Sequence, residues 1–156
     1  MNICSSHHHC IDTAMHKAEA LCIERKIQFT KLRQNVLRLI WQSHIPLKAY
    51  DILEQLKLID KAAKPITIYR SLDFLLENKL VHKLESQSSY LGCAHPAAHH
   101  NCYFIICKHC HMVEEGCKSE LLQPIYSSFT KNHFKVEHIV LEILGICQSC
   151  QELKVT

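Results

Sequence analysis

Residues 64–92 read KPITIYRSLDFLLENKLVHKLESQSSYLG, and this stretch decides the fold. Lys64-Pro65-Ile66-Thr67 opens a helix, because a proline in the first turn gives up an N–H that has no intrahelical acceptor there. Ile68, Leu72, Leu75 and Leu76 recur at helical spacing and form its buried stripe, leaving Thr67, Tyr69, Arg70, Asp73 and Glu77 on the outer face. Downstream, Leu80, His82 and Leu84, then Ser89, Tyr90 and Leu91, flank the polar turn Glu85-Ser86-Gln87-Ser88, the pattern of two strands joined by a hairpin. A helix followed at once by a two-stranded wing describes a winged helix-turn-helix. The exposed Tyr69-Arg70 pair near its start is placed for a major groove, where arginine takes guanine O6 and N7 and tyrosine takes a phosphate or a thymine methyl.

Working upstream, three shorter helices complete the module. Asp12 reads as the cap of the first, with Ala14, Ala18, Leu21 and Cys22 on its apolar face. Thr30 caps the second, whose stripe is Leu32, Val36, Leu39 and Ile40; after Pro46, the residues Ala49, Ile52, Leu53 and Leu56 mark the third. Lys31, Arg33 and Lys48 then fall where cations hold phosphates and fix register without reading sequence.

The charge divides with the pattern. Residues 1–84 hold 13 Lys/Arg against 8 Asp/Glu, giving +5; residues 85–156 hold 5 against 7, giving −2, with seven of the ten cysteines. A basic half suits a polyanionic partner and the other half suits metal chemistry. Three segments are expected: a flexible His/Cys-rich stretch over 1–11, including Cys4, His7, His8, His9 and Cys10; a winged-helix DNA-binding domain over 12–93; and a small α/β domain over 94–156. The fold class is α+β. His7, His8 and His9 sit where the apolar core of a signal peptide belongs, and no run of about eighteen apolar residues occurs. The cysteines therefore read as reduced cytoplasmic thiols, for which paired spacing means metal.

Those pairs are Cys107/Cys110 and Cys147/Cys150, two Cys-x-x-Cys knuckles on either side of a complete β-α-β pattern. Together they predict a closed tetrahedral four-thiolate zinc site, which stabilises a fold and leaves no open position for catalysis. A thioredoxin-type dithiol is the competing reading for one pair. Around them, Tyr103–Ile106 and Met112–Glu115 read as strands, Cys117–Lys131 as a helix with Leu122, Ile125 and Phe129 inward, and Lys135–Ile143 as a β-branched strand. This sheet is too small to bury both faces alone, so pairing with a second copy is expected.

In their order, Thr30-Lys31-Leu32-Arg33, Ala49-Tyr50-Asp51-Ile52-Leu53, Pro65 through Leu72 and the two knuckles resemble the Fur family of metal-responsive repressors, from about residue 14 to residue 152. Asp73 to Glu77 and Val81 to Ser86 look most like its zinc-uptake-regulating branch. The resemblance implies a homodimer built through the second domain and operator DNA as partner. It also implies an exchangeable regulatory zinc near the domain junction, held by His82, Cys93, His100 and Glu115, so two zinc ions per subunit. One thiolate, two imidazoles and a carboxylate suit zinc, whereas iron sensors use harder donors. His95, His99 and Cys102 lie close enough in sequence to exchange with His100, and His138 is an alternate for an additional site.

Zinc spanning both domains would lock the dimer in its DNA-competent form, making the chain a zinc-dependent repressor of zinc-uptake genes. No membrane and no small-molecule substrate beyond the metal is expected. The alternatives are an iron, manganese or peroxide sensor of the same family, a zinc hydrolase with Glu115 as base, and a passive zinc store. The hydrolase has no independent nucleophile motif, and the store leaves the Tyr69-Arg70 helix unexplained.

Overall fold

The computed structural model describes residues 7–43, 45–98, 102–116, 119–130, 134–135 and 139–153 in two compact units, Met1–Ala97 and Ala98–Thr156. The first unit runs a few residues past the expected end at 93. Cys93 N–H donates to Leu80 O at 3.0 Å, Pro96 is buried, and Lys17 Nζ reaches Ala94 O at 3.4 Å, so this segment is tied to the helices.

In the first unit, helix α1 spans His7–Glu24 and starts earlier than its expected cap. Asp12 lies inside it, with its carboxylate 3.7 Å from the Arg38 guanidinium, an exposed pair of small energetic weight. The buried face is Ile11, Met15, Ala18 and Cys22, while Ala14 and Leu21 are only half-buried. Burial of Ile11 anchors the helix upstream of Asp12, and Ile11 with Met15 turns its apolar face from the expected position. Helix α2 (Lys31–Gln42) begins as expected at Thr30, whose Oγ1 accepts from Arg33 N at 3.4 Å, and buries Val36, Leu37, Leu39 and Ile40.

Strand β1 (Leu47–Lys48) follows, then helix α3 (Ala49–Lys57), whose buried residues are Ile52, Leu53 and Leu56. Helix α4 (Pro65–Glu77) has Pro65 in its first turn, as the sequence predicts. Thr67 closes that turn: its Oγ1 accepts from Lys64 N at 3.2 Å and donates to Lys64 O at 2.6 Å. The wing is β2 (Val81–Leu84) and β3 (Ser89–Gly92), antiparallel, with Val81 opposite Gly92 and Leu84 opposite Ser89. The sequence reading lacks β1, which pairs Leu47 with Tyr90 and makes β3 the central strand of three. Ile68, Leu72 and Leu75 of α4 close on Ile40, Ile52, Leu56 and Val81 in one core.

In the second unit, β4 (Tyr103–Cys107) pairs antiparallel with β5 (Val113–Gly116), and α5 (Ser119–Thr130) crosses to β6 (Leu141–Gly145), which pairs parallel with β4. The last strand is displaced from the expected Lys135–Ile143. It runs on to Gly145, and residues 139–140 carry no regular structure, because the register Tyr103↔Leu141 to Cys107↔Gly145 is fixed by β4 rather than by local β propensity. A short helix α6 (Gln148–Glu152) then starts at Cys147. Phe104, Ile106 and Leu122 are buried. Ile105 and its partner Ile143, on the opposite sheet face from Phe104 and Ile106, stay 43% and 44% exposed, while Tyr103 and Cys107 on the Ile105 face are buried, so only the middle of that face is open in this unit.

No helix among the described residues is long and apolar enough to cross a membrane.

Candidate functional site

The parallel pairing of β4 with β6 decides the geometry of the thiol cluster. Both strands end at the same edge of the sheet, so Cys107 at the end of β4 and Cys147 just beyond β6 emerge side by side. Lys108 N donates to Gly145 O at 2.9 Å, and Cys147 N to Cys107 Sγ at 3.4 Å. Each chain then folds back to present its second thiol. On the first side the 107–111 turn does so, closed by His111 N to Cys107 O at 3.0 Å with His111 at φ 58°. On the second, one turn of α6 carries Cys150.

The four sulfur atoms of Cys107, Cys110, Cys147 and Cys150 all lie within 4.8 Å of one another, and Cys110 and Cys147 are 3.7 Å apart. Tetrahedral zinc with Zn–S bonds of about 2.3 Å requires sulfur–sulfur edges of about 3.8 Å. The electrostatics agree with that fit. Backbone N–H groups of Cys110, Cys147 and His109 point at Cys107 and lower its thiol to about 5, so one thiolate is already stabilised by the fold. Cys150 is pushed up to about 12, first by the Cys147 thiol beside it. Further negative charge in the cluster therefore needs a cation, and a divalent one supplies it.

His82 on β2 and Cys93 just after β3 are both buried, at 8% and 3% exposure, and a ring nitrogen and the thiol lie within 4.8 Å of each other. Adjacent antiparallel strands bring them together across a hairpin. Gly92, immediately before Cys93, lies under the indole of Trp41. Glu115 is half-buried on β5, Cys102 is buried just before β4, and His95 is exposed. His99, His100 and His138 lie outside the described residues.

On α4, Tyr69 and Arg70 are exposed, as the outer-face reading expects. Thr67 has its hydroxyl occupied by the helix start. Lys31 and Lys48 are exposed, whereas Arg33 is only half-exposed: its guanidinium stacks 3.6 Å from the Phe74 ring centre and donates to Gln28 O. Arg33 therefore joins α2 to α4 as well as carrying charge. Tyr50, in the first turn of α3, is 69% exposed and stands off the Ile52/Leu53/Leu56 stripe.

A winged helix in one unit and a strand-helix-strand unit closed by a four-thiol knuckle define a metal-binding winged-helix regulator. The chain belongs to the ferric uptake regulator family, whose model matches residues 24–144. It is 37% identical over 139 residues to the zinc uptake regulation protein of Escherichia coli (strain K12), covering 88% of this chain and 81% of that protein. Its backbone is similar to that of a zinc uptake regulator complexed with zinc and DNA, at TM-score 0.90 and 35% identity over 94% of this chain and 98% of that one. It is also similar to holo XcZur, at TM-score 0.82 and 36% identity over 88% and 96%.

Proposed function

We propose that this chain is a zinc-responsive, sequence-specific DNA-binding repressor that acts as a homodimer in the cytoplasm and controls zinc-uptake genes. The observation that carries the reading is the likeness, over 94% of the chain, to a zinc uptake regulator complexed with zinc and DNA. Membership in a family of uptake regulators sets aside the hydrolase reading.

Two zinc ions per subunit are proposed. Cys107, Cys110, Cys147 and Cys150 hold the structural one; their fit to a tetrahedral thiolate site supports this assignment. His82, Cys93, His100 and Glu115 hold the regulatory one, with the buried His82–Cys93 pair as support. Zinc supplies there a borderline-soft centre that takes thiolate, imidazole and carboxylate together. The chain's own part is to hold His82 on β2 beside Cys93 just past the end of β3 and to present Tyr69 and Arg70 outward on α4, with Lys31 and Lys48 on phosphates. Because these ligands come from both halves of the sequence, occupancy favours one state of the dimer, and linkage requires DNA to tighten zinc by the same factor.

The experiment is a metal titration of full-length protein with DNA binding as readout, on wild type and Cys93→Ser. The variant should keep one tightly held zinc and its fold while losing zinc-dependent DNA binding. Normal zinc-dependent binding by Cys93→Ser would remove Cys93 from the sensing site. DNA binding switched on by iron or manganese but not by zinc would favour the sister sensors.

A further inference from the structure

Ile66, in the first turn of α4, is 55% exposed. With about 100° between successive residues of a helix, the buried residues Ile68, Ser71, Leu72 and Leu75 centre on the direction opposite Ile66, while Tyr69, Arg70 and Asp73 fall within about 60° of it. Ile66 thus stands on the midline of the outward face, at the end of the helix whose residues reach base edges in this fold. Single exposed apolar residues are ordinary on protein surfaces. This one differs in its setting: charged Lys64 and Arg70 flank it, and the hydroxyl of its neighbour Thr67 is spent on Lys64 N and O. The first turn of α4 therefore offers the groove little beyond an aliphatic side chain.

We propose that Ile66 is a specificity-determining residue that reads a thymine 5-methyl group in the major groove, beside the bases approached by Tyr69 and Arg70. The inference rests on the DNA-binding reading above. Thymine's methyl is the one apolar group that unmodified base pairs present in the major groove. Guanine, adenine and cytosine edges set against an isoleucine would lose water from donors and acceptors with nothing in exchange. The operator half-site should accordingly require a T at one position per recognition helix, for its methyl group rather than for its hydrogen bonds.

The test uses the zinc-loaded full chain and a duplex it selects from a random-sequence library. Each thymine of that duplex is replaced in turn by deoxyuridine, which removes the methyl and keeps base pairing. Wild type should bind about fourfold more weakly at one position per half-site, the factor that burying one methyl supplies. Ile66→Ala should bind the thymine and deoxyuridine duplexes equally, and Ile66→Val should retain part of the difference. Because Ile66 is exposed, its variants should keep the wild-type melting temperature and zinc content. Failure to select any sequence would sink the DNA-binding reading itself. A selected duplex indifferent to every thymine methyl, or methyl effects that Ile66→Ala leaves unchanged at every position, overturn this inference alone.

Discussion

Replacing Gly92 by alanine tests how the wing is held against the helices and how the residue before Cys93 is placed. A Cβ on Gly92 would lie 2.4 Å from Trp41 Cε2, 2.5 Å from Nε1 and 2.9 Å from Cδ2. Carbon atoms pack at about 3.5–4.0 Å, so something must move by about 1 Å or more. Strand β3 is poorly free to move, since it is paired to β1 on one side and β2 on the other. Trp41, half-buried near the end of α2, is the part that gives way. Overpacking of this kind costs about 1–3 kcal/mol. Gly92 has no positive φ, so reduced unfolded-state freedom returns up to about 1 kcal/mol in alanine's favour. With about 2 kcal/mol taken as the middle of the overpacking range, the net cost is about 1–2 kcal/mol, and since each 1 kcal/mol shifts melting by about 4–8 °C for a domain of this size, the expected loss is roughly 4–16 °C.

Trp41 is the sole tryptophan, so its emission follows unfolding of the first unit directly. In Gly92→Ala the folded-state emission should shift to the red as the indole meets water. In a Trp41→Ala background the same glycine substitution should cost less than about 0.5 kcal/mol, because the collision partner is gone. Equal melting losses in the two backgrounds would refute the reasoning.

Three further outcomes are expected. Arg70→Ala should weaken binding to the selected duplex by about 1–3 kcal/mol and relax its sequence preference, with zinc content unchanged; equal discrimination by wild type and variant in gel-shift competition would take Arg70 out of base reading. In the reduced, metal-free chain, Cys107 falls from the usual 9.0 to about 5, so the unfolded state binds the extra proton between those values and stability rises with pH across that window. Cys150, raised to about 12, reverses the slope above 9.0. Thermal melts should therefore show a pH 5–9 rise that Cys107→Ser loses, and identical profiles would contradict the assignment. Finally, His111→Gly removes a left-handed φ costing about 1–2 kcal/mol and adds about 0.5–1 kcal/mol of unfolded-state entropy, so the second unit should melt slightly higher in calorimetry, and a lower melt would show that the imidazole is itself holding the turn.

The elements with strong local signals were legible. Helices α2, α3 and α4 announce themselves by Thr30, Pro65 and their apolar stripes, and the hairpin by the polar turn at 85–88. What local pattern does not carry are features set by partners distant in sequence. Strand β1 is two residues long and exists only because Tyr90 and Ser89 lie opposite it. The bounds of β6 follow β4, and α1 extends back past Asp12 where Ile11 finds the core. Among the candidate ligands, spacing and resemblance pointed to the four knuckle cysteines and to His82 with Cys93, and the structure brings each of these groups together. The engagement of Arg33 with Phe74 and of Thr67 with Lys64 was not, because an exposed cation or hydroxyl in a helix looks the same whether or not it is occupied.

Two of the three glycines add to this: the space above Gly92 is filled by the Trp41 ring and that above Gly116 by the Tyr103 ring, so each glycine reports an aromatic elsewhere in the chain.

The side-by-side ends of β4 and β6 also set an order of assembly. Cys107 meets Cys147 across 40 residues, so the thiol cluster cannot close until the crossover through α5 has been made and β6 has zipped onto its parallel neighbour. Parallel pairing at such separation is among the slower steps of folding. During synthesis the chain would carry a two-sulfur half-site from the moment Cys110 leaves the ribosome, and metal captured there early would be held weakly. On the proposed zinc assignment, full grip on the ion would come only once the second unit is complete, so retention of metal would report that β6 has docked.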